Sequence, residues 1–156
     1  MIRLRMELKE KGLTGKRLRE EFKAIKSAAL QELGEHFHRT NLPRRFTESG
    51  GRFLGFQKRS ARYTARKMRK YRHRDPLVWS GASKILALGI QDVRVLASGN
   101  RSEVRIVIHA RGLNRRNASS TIRMADEVRT ISPREFGPLT RVLDRGVQKR
   151  IKERDQ

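Results

Sequence analysis

Six apolar residues, Leu18, Phe22, Ile25, Ala29, Leu33 and Phe37, recur at spacings of three and four. Only an α-helix brings such positions onto one side, so the stripe commits this part of the chain to one amphipathic helix. Lys16, Arg17, Glu20, Lys23, Lys26 and Glu35 fall elsewhere around it and can meet water. The helix should begin near Thr14, run to about Thr40 and stop before Pro43, because a residue ahead of proline avoids helical backbone angles.

A helix with one apolar stripe needs a surface to cover, and strands supply it. Ile2, Leu4, Met6 and Leu8 alternate with Arg3, Arg5 and Glu7, which predicts a short strand with one wet face, ended by Lys11-Gly12. Val93, Val95 and Ala97 alternate, and Ser98-Gly99-Asn100 has turn chemistry. Val104, Ile106 and Ile108 then alternate with Arg105 and His109, completing a hairpin. Residues 122–131 carry Ile122, Met124, Val128 and Ile131, fit neither period well, and lean towards a strand. Ser132-Pro133-Arg134-Glu135 then places serine at the N-cap, proline at the first helical position and glutamate at N3, a capping box. Phe136, Leu139, Leu143, Val147 and Ile151 follow at helical spacing. Gly137, Pro138 and Gly146 weaken this last helix, so packing must hold it. The expected fold class is α+β: a long N-terminal amphipathic helix and a shorter C-terminal helix packed on an antiparallel sheet of about four strands.

At 156 residues and 36% hydrophobic, against roughly 45–50% in typical globular chains, the core must be thin or completed by other copies. Its expected members are Leu18, Phe22, Ile25, Leu33, Phe37, Trp79, Val104, Ile106, Ile108, Phe136, Leu139 and Leu143. One domain over 1–151 is expected, with a frayed polar tail at 152–156 and a polar, mobile loop over 111–120. Residues 41–57 read as an irregular connection pinned by Phe46, Phe53 and Phe56, and Ile85, Leu86 and Leu88 as a short apolar stretch of open type. The absence of cysteine excludes disulfides and thiolate metal sites and fits a reducing cytoplasm. No apolar run approaches the 18 or so residues of a membrane span, and the N-terminus has no signal-peptide core, so a soluble, non-exported protein is expected.

The charge is lopsided: 38 Lys and Arg against 16 Asp and Glu, a formal +22. It is densest from Lys58 to Arg74, KRSARYTARKMRKYRHR, where nine of seventeen residues are Lys or Arg and none is acidic. Such self-repulsion is tolerable only in water or against a polyanion. No Gly or Pro interrupts the run before Asp75-Pro76, so a short helix is expected, with Arg62, Arg66 and Arg69 on one face and Tyr63 and Met68 touching the body. Arg59, Arg62, Arg66, Lys67, Arg69 and Lys70, joined by Arg115 and Arg116 of the polar loop, are the candidate contacts to phosphate or to an acidic partner. A solvated face is the plain alternative. No RNP motif, GXXG loop or zinc-finger spacing occurs, so nucleic-acid contact would be to the backbone and independent of sequence. For Tyr63 and Tyr71 packing is favoured over base stacking, and for Trp79 burial.

Reactive constellations are missing from the pattern. Glu20 and Glu21 are adjacent on a helix and diverge; Asp126-Glu127 do the same, and Asp92 stands at a strand start. His36 and His38 are two apart and cannot share a metal as an i, i+4 pair would. His73 sits in the basic run, His109 on a strand, and Ser80 lacks a nucleophile's context. Ser49-Gly50-Gly51-Arg52 lacks the lysine and spacing of a phosphate loop. No catalytic, cofactor-binding or metal-binding residue is expected, and no enzymatic activity.

The order of features carries a resemblance. A long amphipathic helix leads to a basic stretch with Tyr63, Arg66 and Lys67, then Pro76-Leu77-Val78-Trp79-Ser80-Gly81, a hairpin and a C-terminal helix. Over roughly residues 14–110 this resembles the virion morphogenesis proteins of tailed bacteriophages, the tail-completion and head–tail neck proteins. Many of these carry a basic segment ahead of a "PL-x-x-[ST]-G" element. The chain departs from them after the hairpin, where Arg111 to Arg116 replace an aromatic-rich stretch. The resemblance implies a non-enzymatic subunit of a homo-oligomeric ring, often hexameric, in the virion at the head–tail junction and in the host cytoplasm during assembly. Its partners would be itself, neighbouring neck, connector and tail proteins, and non-specifically the packaged DNA; no membrane is implied. The alternative from the residues themselves is a sequence-independent nucleic-acid-binding protein that uses the basic segment; a nuclease stands a distant third.

Overall fold

The stripe forms its helix. The computed structural model describes residues 2–5, 15–78, 81–89, 93–108 and 122–154, and within it α1 spans Lys16–His36. Ala29, Leu30 and Leu33 are fully buried, as is Phe37 just beyond. Leu18, Phe22 and Ile25, expected in the core, are only half-buried and lie outside it. Leu18 and Ile25 instead line an open groove between the start of α1 and the end of the last helix, with Arg150 and Arg154.

The helical path does not stop before Pro43. A π turn over Phe37–Asn41 follows α1, and the Leu42 N–H reaches back to the Phe37 carbonyl. The widened turn lets proline enter at the start of the next helical piece, α2 (Leu42–Arg44), where its missing N–H is least felt. Leu42 accordingly keeps helical angles, φ −62° and ψ −43°, ahead of the proline. Thr47 then caps α3 (Glu48–Leu54), its Oγ1 accepting from the Gly50 N–H at 3.1 Å. Residues 42–54 are thus mostly helical rather than an irregular connection. Of their aromatics Phe46 is fully buried, while Phe53 is 44% exposed.

After α4 (Ala61–Tyr71) and α5 (Ala82–Leu88), the expected hairpin appears as β2 (Val93–Ser98) and β3 (Glu103–Ile108). Strand β1 (Ile2–Arg5) adds to the far side of β3, giving an antiparallel sheet in the order β1-β3-β2. The register pairs Ile2 with Ile106, and Val95 with Ile106 from the other side. Val104 and Ile106 are fully buried and Ile108 packs against the core. Helix α1 crosses this face at Gly34, where an added Cβ would stand 2.5 Å from Val95 Cγ1 and 2.8 Å from Val104 Cγ2. Only glycine lets the helix approach so closely.

Among the described residues there is no fourth strand. The stretch leaning towards one forms α6 (Met124–Arg129), and the Asp126 and Glu127 N–H groups bond locally to the Arg123 carbonyl. Met124, Val128 and Ile131 pack on the core at spacings of four and three, a helical period that Ile122 obscured. Helix α7 (Pro133–Arg154) has 22 residues and is no shorter than α1, which has 21. It runs antiparallel to α1: Gly146 packs on Ala29, Arg150 pairs with Glu32 at 2.9 Å, and Arg154 with Glu21 at 3.0 Å. Those pairs explain why Lys152, Glu153 and Arg154, expected to fray, continue the helix. Leu139, Val142 and Leu143 enter the core, but Phe136, expected there, is 59% exposed. In the first turn of α7 the inward position belongs to Glu135.

Glu135 answers a fully buried cation, Arg45. The guanidinium donates to Glu135 Oε1 and Oε2 at 2.7 Å each, to the Val128 carbonyl at 3.2 Å, the Thr130 carbonyl at 2.9 Å and the Asn41 carbonyl at 3.3 Å. Every N–H of arginine is engaged. Glu135 also accepts from Asn41 Nδ2 at 3.0 Å and from the Ser132 N–H at 2.9 Å, the second being half of the expected capping box. One ion pair thereby joins the end of the first helical run, α6 and α7. Trp79, and the mobile loop expected over 111–120, lie outside the described residues.

Candidate nucleic-acid interface

The basic segment does fold as a helix. Ser60 caps α4, its Oγ accepting from the Tyr63 N–H at 3.2 Å, and Arg72 closes it in the left-handed region at φ 59°. Successive residues turn by about 100°, so Arg62, Arg66 and Arg69 fall on one side, and all three are exposed. Lys70 is also exposed, its ammonium 5.3 Å from the Tyr71 ring centroid. Lys58, Arg72 and Arg74 extend the exposed cationic surface beyond both ends of the helix.

Two of the expected contact residues face the other way. Arg59 grips Glu127 with both guanidinium nitrogens, at 2.8 and 2.5 Å, and the two side chains are only 17% and 14% exposed. Lys67 is 1% exposed, donates to the Asp75 carbonyl, and has its ammonium 5.6 Å from the Tyr63 ring centroid. These two cations hold α4 to the body and are unavailable to a polyanion. Sequence spacing already hinted at this, since Tyr63 and Lys67 are one turn apart and Lys67 stands about 100–160° around the helix from the three arginines. Tyr63 is partly buried, in keeping with packing, and Met68, expected to touch the body, is 39% exposed. Arg115 and Arg116 lie outside the described residues.

The anchoring lysine carries a measurable signature. Burial, helped by the nearby Arg59 cation and opposed by the Asp75 carboxylate, pushes its ammonium down to about 8. Between that value and its ordinary 10.5 the unfolded chain holds the proton that folded Lys67 has released, so stability rises with pH. Burial raises the Tyr63 phenol above its ordinary 10.0, which works in the opposite sense in more alkaline solution. Urea titrations from pH 8 towards 10 will therefore show the wild type gaining stability, and a Lys67→Met variant will lose that gain.

The arrangement can attract and position phosphates. Among the described residues no group of histidines and carboxylates converges as a metal site would. Compared with known proteins, the chain matches no family model, no curated protein and no solved structure.

Proposed function

We propose that this chain is a non-enzymatic structural subunit of a tailed-phage particle, a neck, tail-completion or tail-terminator ring subunit at the head–tail junction. The observation that carries the reading is the exposure of large apolar side chains. Cations are dense on α4, where Met68 is 39% exposed, and the most exposed apolar side chains stand on other elements: Ile85 at 72%, Phe136 at 59%, Leu96 at 54%. Exposed apolar side chains of this size can be covered by contacts between protein copies, and the cationic helix suits a polyanion inside or beside the ring. Among the described residues β2 pairs on one side only, leaving an edge for a neighbour. The resemblance around Pro76 to Gly81 supplies the phage context.

Native mass measurement and electron microscopy of the full chain, alone and with its neck partners, test this reading. Closed rings, most simply hexamers, are expected, and Ile85→Glu combined with Phe136→Glu should reduce them to folded monomers. A chain that stays monomeric with every neighbouring virion protein present would overturn the proposal.

The alternative, a sequence-independent nucleic-acid binder, is favoured by the single exposed face shared by Arg62, Arg66 and Arg69. Each phosphate neutralised lowers the slope of log affinity against log salt by about 0.9, so replacing all three with glutamine should flatten that slope by roughly 2–3. Tight binding by the monomer, without any ring, would select this alternative.

A further inference from the structure

Helix α4 gives most of its circumference to solvent. Seven of its eleven residues are exposed, against six of 21 on α1. Only Tyr63, Thr64, Lys67 and Tyr71 are partly or fully buried. Lys67 on the Asp75 carbonyl, and Arg59 on Glu127 just ahead of the helix, hold it to the body.

The exposed arc has an order. With buried Lys67 as the inward direction and 100° per residue, Ala65 and Arg69 lie about 160° round the helix and Arg62 about 140°. These three form its outermost line. Arg66 and then Lys70 continue round one side, while Ala61 and Met68 continue round the other. One side of the arc is therefore long and cationic, and the other begins with two alanines. No acidic residue stands on the helix.

We infer that α4 enters the major groove of B-form duplex DNA. An α-helix with its side chains is about 10–12 Å across, and that groove is about 12 Å wide. Exposed Ala65 and Ala61 let the helix backbone settle close to the base edges. From the same line Arg62, Arg66 and Arg69 can reach back to the phosphates of the groove wall, where guanidinium groups bind in a bidentate fashion. Lys58, Arg72 and Arg74, exposed beyond the two ends, add charge along the strands. A membrane or an acidic protein fits less well. Both require an apolar centre, and the large apolar side chains Tyr63 and Tyr71 are partly buried, leaving Met68 alone on the exposed arc. The inference rests on the reading of α4 as a nucleic-acid contact and is independent of ring formation.

The test uses the full-length protein and four polyanions at one salt concentration: a random-sequence DNA duplex, an RNA duplex of equal length, a DNA duplex whose cytosines carry glucose at C5, and polyglutamate. The RNA duplex has a deep, narrow major groove, and the added glucose fills that of DNA without changing its phosphates. Unmodified DNA should bind about tenfold or more tighter than any of the other three, because only it offers both the phosphates and an open groove. Ala65→Phe, at an exposed position, should weaken DNA binding by a similar factor and leave RNA binding unchanged, whereas Ala65→Ser should bind DNA as the wild type does. Equal affinity for plain and glucosylated DNA, equal affinity for DNA and RNA duplexes, or polyglutamate binding as tight as DNA would each overturn the proposal. The first two outcomes would leave α4 as a backbone contact. Absence of DNA binding by the wild type, or a salt slope unchanged in R62Q/R66Q/R69Q, would remove the nucleic-acid reading of α4 as well, with ring formation still judged by mass.

Discussion

Replacing Glu135 with alanine will lower the free energy of unfolding by about 3–5 kcal/mol, the range for breaking a buried ion pair from one side. The loss arises because Arg45, fully buried and bonded to three backbone carbonyls, would keep its charge without a counter-ion. Its guanidinium sits 4.8 Å from the Phe37 ring centroid, so it has no path to water without opening the core. Acid should act through the same pair. Burial alone would raise the Glu135 carboxyl, but hydrogen bonds from Arg45, Asn41 and the Ser132 N–H more than reverse this, and its net position is below the ordinary value of 4.5. Stability from this group is therefore fully present above the unfolded carboxyl's range, near pH 4.3, and drains away as pH falls through the lower folded value. Urea denaturation from pH 7 to 2 checks both effects. Glu135→Ala should unfold at much lower urea at neutral pH and show a shallower acid limb than the wild type.

Gly50→Ala will cost about 3 kcal/mol, at the upper end for overpacking a rigid site. A Cβ at Gly50 would lie 1.8 Å from the Arg44 carbonyl oxygen and 2.8 Å from Thr47 Oγ1. The obstruction is backbone, so no rotamer change relieves it. Thr47 Oγ1 also donates to the same Arg44 carbonyl at 2.9 Å, so any shift breaks the cap of α3 as well. Arg45 is the next residue along, and the strain should reach the buried pair. Gly137→Ala gives the contrast within one protein: outside its own helix and its chain neighbours nothing lies within 4 Å of its would-be Cβ. It stands directly ahead of Pro138, whose ring crowds a Cβ at helical angles, so the gain in helix propensity is offset and the change should stay within about 0.5 kcal/mol of the wild type. Thermal melts followed by circular dichroism should place Gly50→Ala far below the wild type and Gly137→Ala close to it.

Periodicity was legible wherever one face of an element is apolar and the other wet. It located α1, the β2–β3 hairpin, β1 and α7, and the Ser132–Glu135 box marked the start of α7. It failed where the buried position is held by charge. Glu135 took the inward turn expected for Phe136, and Arg45 became the hub of a segment that looked irregular, because hydropathy counts both as surface residues. At the candidate interface Arg62, Arg66 and Arg69 stand where their spacing placed them, and Lys70 is exposed. Arg59 and Lys67 do not, because the partners that draw them inward, Glu127 and the Asp75 carbonyl, are brought near only by folding.

By itself the sequence determined an α+β fold with a long first helix, a helix near the other end, a hairpin and a cationic helix, because these follow from repeat spacing and local capping; the full length of the last helix was not among them. The tertiary structure alone decided which charges are internal and which face solvent. Burial of an arginine or lysine depends on a carboxylate or carbonyl tens of residues away, and no local pattern encodes that distance.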